Sequence, residues 1–556
     1  MKYKRIIIWA SVVMLSFSVG FVSDITDDYF EISKNLDIFG RVYREINATY
    51  VEDTDPSELM RVGIDAMLNS LDPYTTYISE DEAEDFSFFT TGQYGGIGAL
   101  IGKRTDRLLV IEPYVGSPAA KAGLKPGDQL VRVNDTEIDG KTMQVSDVRN
   151  LLRGDKGVEL TIVVKREGKT DPITVNLERD RIKIPNVPYS GMVNDKIGYI
   201  SLTGFTEDAG AEVSGAMRKL RQEHKDLGGV ILDLRSNPGG RLDQAIRVAN
   251  VFIPQKETIV ETRGRMADAR RVLRATRQAI DSETPLVVLV NGRSASASEI
   301  VAGAIQDLDR GVIIGQRSFG KGLVQNIRPL NYSSQLKVTT AKYYTPSGRC
   351  IQAIDYAERD EEGRVTRIPD SLKTAFSTRN GRTVYDGGGI EPDLEVDEQI
   401  IQPITIALNR QGLIFDFAVK YASRNAEISS VRDFRIDDAL YQEFIAYAES
   451  KDFDYETRAE RQLEKLSKTI EDEAYAGRVS EDLEALKSRL EAQKDKDFNK
   501  HREEIALLLK QEIVKYYYFK AGGIEATFDF DDDIKAAVGM LEDQKSYDKT
   551  LSGTSN

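Results

Sequence analysis

The sequence predicts a multidomain α/β protein, with a β-rich segment before an α/β core and helical regions at both ends. Its 556 residues exceed the length of one compact domain, since a domain commonly holds about 100–200 residues. Short apolar runs between Gly and Asp turns fill residues 94–183 and predict strands. From residue 184 to residue 397, strand-like runs alternate with helical segments, which is typical of an α/β core.

Composition and charge exclude several classes of protein. Lys and Arg number 75 against 90 Asp and Glu, so the net charge is −15 and the isoelectric point is near 5.0, which argues against a nucleic-acid partner. The single cysteine, Cys350, excludes an intrachain disulfide and zinc sites of the Cys₄ or Cys₂His₂ type. His224 and His501 are the two histidines and stand far apart, so a histidine base is not expected. We expect no metal and no organic cofactor.

Residues 1–23 predict a targeting segment. Lys2, Lys4 and Arg5 precede an uncharged run from Ile6 to Ser23, a pattern typical of a secretory signal. The run also reaches the lower length limit of a membrane-spanning helix, so a cleaved signal peptide and a retained anchor both stay open. Either way, the positive-inside rule predicts that the rest of the chain lies outside the cytoplasm, in the cell envelope or secreted.

Residues 24–93 are predicted to be helical, because Ile38, Val42 and Ile46 recur at helical spacing. In the β-rich segment we predict strands at 108–111 and 159–164 and a helix at 145–152. The core segment is predicted to contain strands at 196–202, 229–234 and 286–290, and a helix that starts at Leu242.

Residues 398–556 form a predicted C-terminal helical region. No proline follows Pro403, and half of the residues from 451 to 500 are charged. Two runs of apolar residues at helical spacing, with Gly477 between them, predict a pair of amphipathic helices. We favour a solvated helical appendage over a dedicated binding surface for this pair.

Ser296 is the first candidate for chemistry. Residues 285–304 predict a buried strand, a turn of small residues and a helix, and Ser296 lies at the start of the helix. The free N–H groups and the positive end of the helix dipole favour a developing anion there, and small neighbours leave room for a peptide. Serine is also an ordinary helix cap, so this segment alone leaves both roles open.

Lys321 is the second candidate. Residues 315–321 fit the phosphate-loop pattern G-x-x-x-x-G-K, but Gly322 stands where a Ser or Thr should bind magnesium, which disfavours a nucleotide site. A lysine buried away from carboxylates has its pKa lowered from about 10.4 and can serve as a general base. A neutral Lys321 could then take the proton of Ser296, as in a Ser–Lys dyad. Gln325 could orient the amine without adding charge.

The third candidate is a Pro-Gly-Gly turn at residues 238–240, which ends a predicted strand. Unpaired N–H groups at such a turn can point at a carbonyl oxygen, although a simple turn explains the segment taken alone. Asp233 is interpreted as a turn former, and Asp307 as a surface residue or one that lies behind the site.

Five ordered motifs in this chain resemble the carboxyl-terminal processing proteases, also called tail-specific proteases. The resemblance extends from about residue 35 to residue 397. The motifs are D-L-R-S-N-P-G-G at 233–240, S-A-S-A-S-E at 294–299, F-G-K-G-x-x-Q at 319–325, Y-T-P-S-G-R-x-I-Q at 344–352 and G-I-E-P-D at 389–393.

The resemblance implies a serine endopeptidase that cleaves proteins or peptides near their C termini through an acyl-enzyme, with a crotonase-like α/β core and no cofactor. Ser296 would be the nucleophile, Lys321 the general base and Gln325 the third member. The backbone N–H groups of Ala297 and Gly239 would form the oxyanion hole, and Gly240 stays open as an alternative to Gly239. Cys350, which stands where the family often has serine, receives no role.

Residues 94–183 resemble a PDZ domain, and Gly95-Gly96-Ile97-Gly98 resembles its carboxylate-binding loop. Such a loop can hold a C-terminal carboxylate while the peptide adds as a strand to the sheet edge. Arg153 matches an arginine that in some members couples peptide binding to activation, and a partner for the helix dipole explains it equally well. The expected partners are proteins or peptides with free C-terminal tails, and a homo-oligomer and an inner-membrane anchor stay open.

Two rival hypotheses remain. The first is a catalytically idle PDZ scaffold that presents tails to another protease, and the complete Ser, Lys and Gln set argues against it. The second is a nucleotide hydrolase, which depends on residues 315–321 and lacks the hydroxyl at position 322.

Overall fold

The computed structural model describes residues 29–359, 365–473, 478–494 and 496–553. The predicted signal or anchor at residues 1–23 and the predicted break at Gly477 lie outside these ranges. Within the ranges, no helix combines the length and the apolar character that a membrane crossing needs. Over the described residues, the chain divides into two compact units, one within residues 29–79 and 327–339 and one within residues 80–326 and 340–553.

The smaller unit contains helix α1 (29–49), helix α2 (Pro56–Asn69) and strand β1 (Thr76–Ile78). Asp55 caps α2, because its carboxylate accepts two backbone N–H groups of the first turn. β1, which the helical spacing did not indicate, pairs antiparallel with residues 335–337. The three residues that predicted α1, Ile38, Val42 and Ile46, are exposed.

The β-rich segment forms an antiparallel sheet of strand order β3-β4-β5-β7-β8, with β6 beside β5 and β3 at the edge. β2 pairs separately with β9. α5 begins and ends at the predicted residues, and buries Val148 and Leu152 against the sheet. The elements are α3 (Ala83–Thr91), β2 (Gln93–Gly96), β3 (Ala99–Arg104), β4 (Arg107–Pro113), α4 (Pro118–Lys121), β5 (Gln129–Val133), β6 (Thr136–Glu137), α5 (Val145–Leu152), β7 (Glu159–Lys165), β8 (Ile173–Glu178) and β9 (Asp180–Lys183).

The core is an α/β structure around a sheet of order β10-β11-β12-β15-β16-β23, parallel except for β10. Adjacent parallel strands need a crossover connection. α6 provides the crossover between β11 and β12, and α8 provides the one between β15 and β16. The elements that build this sheet are β10 (Tyr189–Met192), β11 (Ile197–Ser201), α6 (Ala209–Glu223), β12 (Gly229–Asp233), α7 (Leu242–Phe252), β15 (Leu286–Val290), α8 (Ala297–Asp307), β16 (Val312–Gly315) and β23 (Leu394–Glu395).

A second sheet contains β13, which pairs antiparallel with β14 and with residues 341–344 of β18. Two short hairpins, β19 with β20 and β21 with β22, follow. The elements are β13 (Thr258–Gly264), β14 (Arg271–Arg274), β17 (Leu323–Pro329), β18 (Gln335–Tyr344), β19 (Ile354–Arg359), β20 (Val365–Arg367), β21 (Ala375–Ser377) and β22 (Thr383–Tyr385).

The C-terminal region is helical over the part of it that the structure describes. α12 and α13 are the two predicted amphipathic helices, and Leu466 and Leu486 on them remain exposed. The elements are α9 (Pro403–Arg410), α10 (Leu413–Arg424), α11 (Asp438–Glu449), α12 (Arg458–Asp472), α13 (Arg478–Lys494), α14 (Asp497–Lys500), α15 (Arg502–Glu525), α16 (Asp532–Glu542) and α17 (Gln544–Ser552).

Both faces of the core sheet are covered by helices. Alternate residues of a strand point to opposite faces, so Val288 packs with the cluster that holds α6, α7 and α8, while Val287 and Leu289 pack with Leu541 and Tyr547 of α16 and α17. The hydroxyl of Tyr547 also accepts the backbone N–H of Leu286 at 2.9 Å. The last helices therefore belong to the core, unlike α12 and α13.

The β-rich segment contacts the C-terminal helices. Leu109 packs with Phe415 and Val419 of α10. Arg107 forms an ion pair with Asp416 of the same helix, 2.7 Å from Nη2 to Oδ2.

Candidate active site

Ser296 has a strained backbone at the junction of β15 and α8. Its φ of 57° and ψ of −110° lie where residues other than glycine are rarely found, at a cost of about 1–3 kcal/mol. A strained turn between a strand and a helix is also the arrangement that exposes the nucleophile in several hydrolases. Ser296 is 7% exposed. Ser296 is also the N-cap of α8, with the side chain of Glu299 reaching back to its N–H, so the structure is compatible with both roles.

Glu299 connects Ser296 to the loop that contains Lys321. The Oε2 atom of Glu299 accepts the backbone N–H groups of Ser296 and Lys321, both at 2.8 Å. The two backbone nitrogens can therefore be no further apart than twice that distance. Oε1 accepts the N–H of Gly320 at 2.7 Å and the hydroxyl of Ser318 at 2.5 Å. The structure thus brings together the two segments that the sequence proposed for catalysis.

The sequence patterns did not identify Glu299 as a functional residue, although it is the last residue of the motif at 294–299. The sequence did contain a signal for this contact, an acidic residue three positions after a helix-capping serine. The side chain of such an acidic residue typically accepts the backbone N–H of the capping residue. In the structure the side chain is fully buried. Burial raises the pKa of Glu299, and its four hydrogen bonds oppose that rise.

The same hydrogen bonds argue against the nucleotide-hydrolase hypothesis. In a phosphate loop the backbone N–H groups of the glycine-rich turn point at the phosphates. Here the N–H groups of Gly320 and Lys321 bind the buried carboxylate of Glu299, which would repel a phosphate from that position.

The glycine turn lies directly against Ser296. Gly239 has a φ of 96°, and a Cβ on it would come within 2.9 Å of the Ser296 Cβ and of the Ala297 nitrogen, so only glycine fits. Its N–H donates to Oδ1 of the buried Asn237 at 2.9 Å. By contrast, the N–H groups of Gly240 and Ala297 have no hydrogen-bond acceptor in the described part of the chain. In this conformation the N–H of Gly239 is therefore paired, whereas among the described residues those of Gly240 and Ala297 are not.

Asn237 connects the glycine turn to the turn that holds Ser296. Its backbone oxygen accepts the N–H of Ala295 at 3.0 Å and the hydroxyl of Ser298 at 2.9 Å. Its side-chain amide donates to the backbone oxygen of Leu202 at 2.8 Å. The residues on both sides of Ser296 are therefore hydrogen-bonded to the residue that precedes Pro238 and the glycine pair.

Tyr343 of β18 is a second residue that the sequence did not single out. Its backbone N–H donates to the oxygen of Gly322 at 2.7 Å. Burial raises the pKa of Tyr343, and an interaction with the side chain of Ser296 opposes that rise. Gln325 lies half-buried on the neighbouring strand β17. Lys321, also half-buried, precedes that strand.

In the predicted peptide-binding loop, Gly95 and Gly96 belong to β2 and Gly98 has a φ of 75°. A Cβ on Gly95 would lie 2.3 Å from the backbone oxygen of Gly154, so a side chain cannot be accommodated there. The side chain of Ile97 is buried in the domain core, and its backbone oxygen accepts the N–H of Ala119 at 2.9 Å, so only its N–H group is left for a ligand. The loop leads into β3, the edge strand of this sheet, beside α5.

Arg153 follows α5 and lies close to this loop. Its guanidinium carbon is 5.3 Å from the centre of the Tyr94 ring. The guanidinium is also hydrogen-bonded to Asp85 of α3, and this bond lowers the pKa of Asp85. In this conformation a carboxylate of the chain itself therefore binds Arg153.

Three further residues that the sequence analysis discussed, Asp233, Asp307 and Cys350, lie in well-defined surroundings. Asp233 accepts the N–H of Arg235 two residues later at 2.8 Å, as expected of a turn former. Asp307 is not a surface residue: it is buried and forms an ion pair with Arg349 at 2.9 Å. Burial raises the pKa of Cys350. Over the described ranges, no group of three or more His, Cys, Asp or Glu residues could hold a metal ion.

The chain is similar to three family models. Peptidase family S41 matches residues 196–360, a PDZ domain matches residues 109–166, and a probable PDZ-protease C-terminal helical domain matches residues 404–541. Each match lies inside one of the segments predicted from the sequence.

Among curated proteins, a carboxy-terminal-processing protease of Bartonella bacilliformis is 38% identical over 355 residues, which cover 63% of this chain and 81% of the relative. The carboxy-terminal processing protease CtpA of Bacillus subtilis is 32% identical over 370 residues, covering 66% of this chain and 76% of the relative. A solved structure of a photosystem II D1 C-terminal processing protease is 26% identical with a TM-score of 0.34, and the match covers 66% of this chain and 93% of that one.

Proposed function

Because the chain belongs to peptidase family S41, together with the carboxy-terminal processing proteases, we propose that Ser296, Lys321 and Gln325 are its catalytic residues. The protein is a serine peptidase with a PDZ domain. The observation that carries the assignment is the carboxylate of Glu299, which binds the backbone N–H groups of Ser296 and Lys321 through one oxygen.

The proposed reaction starts with a neutral Lys321 amine. The amine takes the proton of the Ser296 hydroxyl while Oγ attacks the carbonyl carbon of the scissile bond. When the intermediate collapses, the C–N bond breaks and Lys321 returns the proton to the leaving amine, which gives the acyl-enzyme. A water molecule, deprotonated by Lys321, then hydrolyses the ester and regenerates Ser296. Gln325 is proposed to orient the amine through its side-chain carbonyl.

Two backbone N–H groups are proposed to stabilise the oxyanion of both steps. Ala297 supplies the first, since it begins α8, where unpaired N–H groups and the helix dipole favour negative charge. Gly239 or Gly240 supplies the second. The unpaired N–H of Gly240 supports that residue in the present conformation, whereas Gly239 would first have to release Asn237. Oxyanion donors contribute most when they are fixed before the reaction, as these backbone groups are.

We also propose that the PDZ domain binds the C-terminal tails of protein substrates, with cleavage near the tail. The unpaired edge of β3 beside α5 supports addition of the tail as a further strand. The backbone of residues 95–98 would bind the terminal carboxylate of the tail. Arg153 would also contact that carboxylate, after releasing Asp85. Amidation of the substrate's terminal carboxylate should then weaken capture.

The location of the protein is part of the proposal. The basic start and the uncharged run to Ser23 support export from the cytoplasm, with this segment acting either as a signal peptide or as an anchor. A homo-oligomer is supported by the exposed apolar side chains of α1, among them Phe30 and Leu36. Light scattering of the purified chain at several concentrations would test this last point.

The test of the proposed function is hydrolysis of fluorescently labelled casein by the wild type and by Ser296→Ala and Lys321→Ala. We expect both variants to stay folded and to lose cleavage. Ser282→Ala and Lys342→Ala are matched controls, because both residues are exposed. Full cleavage by Lys321→Ala at neutral pH would overturn the dyad. Tail binding without any cleavage by the wild type would support the idle scaffold instead.

A further inference from the structure

Arg235 connects the glycine turn to the C-terminal helices. It lies four residues before Gly239, and its side chain is 17% exposed. The guanidinium contacts Asp233 through Nη2 at 2.7 Å, and Asp531 and Asp533 through Nη1 at 2.8 Å each. Asp531 is the N-cap of α16, and Asp533 lies in its first turn. Three carboxylates from two distant parts of the chain therefore surround one cation.

Gln316 makes the corresponding connection from the loop of Lys321. It follows β16 and lies five residues before Lys321. Its side-chain amide donates to the backbone oxygen of Val396 at 2.9 Å and to Oδ1 of Asp533 at 3.2 Å. Asp533 thus binds Arg235 through Oδ2 and Gln316 through Oδ1. One side chain of α16 contacts both loops of the proposed active site.

α16 is also held on the sheet by apolar contacts. Ile534, Ala537 and Leu541 are buried against the strands and provide an apolar attachment. Buried ion pairs lose much of their Coulombic gain to desolvation, and apolar replacements are often as stable. The cluster also holds more negative than positive charge, and burial raises the pKa of Asp533. This cluster costs free energy to bury and joins two loops. We therefore expect it to position the two loops rather than to stabilise the folded protein.

We propose that the start of α16 is a brace for the active site, in which Asp533 is a positioning residue that sets the distance between the glycine turn and the Lys321 loop. The inference rests on the proposed function, because it assumes that both loops act on one substrate carbonyl. Oxyanion donors must lie about 2.7–3.1 Å from the oxyanion. The C-terminal helices thereby support catalysis without touching the substrate.

The test compares Asp533→Ala and the isosteric Asp533→Asn with Asp532→Asn. Asp532 is a matched control, because it lies in the same turn of α16, is half exposed and contacts Lys535 and Gln399 rather than either loop. Casein hydrolysis is measured over a range of concentrations. The number of reactive serines is counted from the end point of labelling with a fluorophosphonate, so that kcat refers to labelled sites.

We expect both Asp533 variants to lower kcat per labelled serine by about 10- to 100-fold with KM changed less than about 2-fold, since a displacement near 1 Å can cost about 100-fold. A merely structural role would lower the labelled fraction and leave kcat per labelled serine unchanged. That result, or an equal loss in Asp532→Asn, would overturn the brace. If Asp533→Ala does not fold, the same criteria apply to Asp533→Asn.

A double variant adds a second criterion. Because Gln316→Ala and Asp533→Ala remove the same contact, the double variant should lose less than the product of the two single losses. Independent losses that multiply would contradict a shared brace. Ser296→Ala, measured in the same assay, tests the proposed function separately from the brace. Residual cleavage by Ser296→Ala would overturn the nucleophile assignment. Complete loss of cleavage by Ser296→Ala, together with Asp533 variants as active as the wild type, would overturn the brace alone.

Discussion

Glu299 accepts the backbone N–H of Lys321, with 2.8 Å between the nitrogen and Oε2, and the same oxygen also binds the N–H of Ser296. The loop of Lys321 is therefore attached to the first turn of α8, the helix that Ser296 caps. A shift of either segment would break a hydrogen bond to a fully buried carboxylate, and leaving a buried donor unpaired costs about 1–3 kcal/mol.

Glu299→Gln should therefore slow the peptidase. A glutamine amide has one oxygen in place of two, so its NH₂ group must face N–H donors on one side of the site. We expect kcat to fall by about 10- to 100-fold, because the lysine loop or the nucleophile turn must move. Casein hydrolysis checks this, with Glu283→Gln as the control, since Glu283 is exposed ahead of β15. A variant as active as the wild type would show that this link does not position the loop.

Tyr343→Phe should lower the rate at which Ser296 reacts. Burial raises the pKa of Tyr343, so its hydroxyl stays protonated, and an interaction with the Ser296 side chain opposes that rise. We expect that contact to limit the rotation of Oγ. We expect fluorophosphonate labelling to slow by about 3- to 10-fold, in line with one lost orienting contact. Stability should change by no more than about 1.5 kcal/mol, the usual net value of one hydrogen bond. Unchanged labelling would contradict the orienting role.

Asp85→Asn should strengthen binding of C-terminal tails. Asp85 is half exposed and forms an ion pair with Arg153 that competes with a ligand carboxylate. Exposed ion pairs are worth about 0.2–1 kcal/mol, so we expect tighter binding by at most about 5-fold. The measurement is fluorescence anisotropy of a labelled peptide in the Ser296→Ala background, with its amidated form as the comparison. Asp81→Asn, an exposed neighbour, is the control. Equal tightening for the amidated peptide would argue against Arg153 as the carboxylate contact.

Lys510→Met should stabilise the protein at neutral pH. Lys510 of α15 is 4% exposed. Burial lowers its pKa, and the charge of Arg435 lowers it further, against opposing contributions from Asp529 and Glu525. Since the folded state releases this proton more readily than the unfolded state, the wild type gains stability as pH rises from the lowered pKa towards about 10.5, the ordinary value.

The methionine variant lacks that titration and should be more stable at pH 7 by about 1–2 kcal/mol, with the difference shrinking towards pH 10. Urea midpoints across this pH range measure it. Lys535→Met, which alters an exposed lysine, should leave the midpoint nearly unchanged. A wild type that is more stable than Lys510→Met at pH 7 would contradict the desolvation argument.

Local patterns in the sequence were sufficient for most of the core. β15 has the predicted bounds at 286–290, and α7 begins at Leu242, because both depend on a hydrophobic period and on the turns beside them. The motif carrying Ser296 also predicted its place at the start of a helix. These features follow from residues close together in the chain.

Contacts between distant segments were not predictable in the same way. Nothing near Arg235 indicates that its carboxylate partners lie almost 300 residues later, at Asp531 and Asp533. The buried position of Asp307 likewise depends on Arg349, which follows by 42 residues. The apolar spacing of α1 predicted a helix correctly but could not show that Ile38 and Val42 would be exposed. Periodicity identifies an apolar face and says nothing about what covers it.

The bond between Tyr547 and Leu286 spans 261 residues and has a consequence for synthesis on the ribosome. Strands β11 to β16 emerge long before the helices that cover one of their faces, and such late, non-local contacts make folding slow. A nascent chain therefore carries an unfinished sheet until the helices that cover it have been synthesised. This order of events leaves an apolar surface exposed during synthesis, for chaperones to shield.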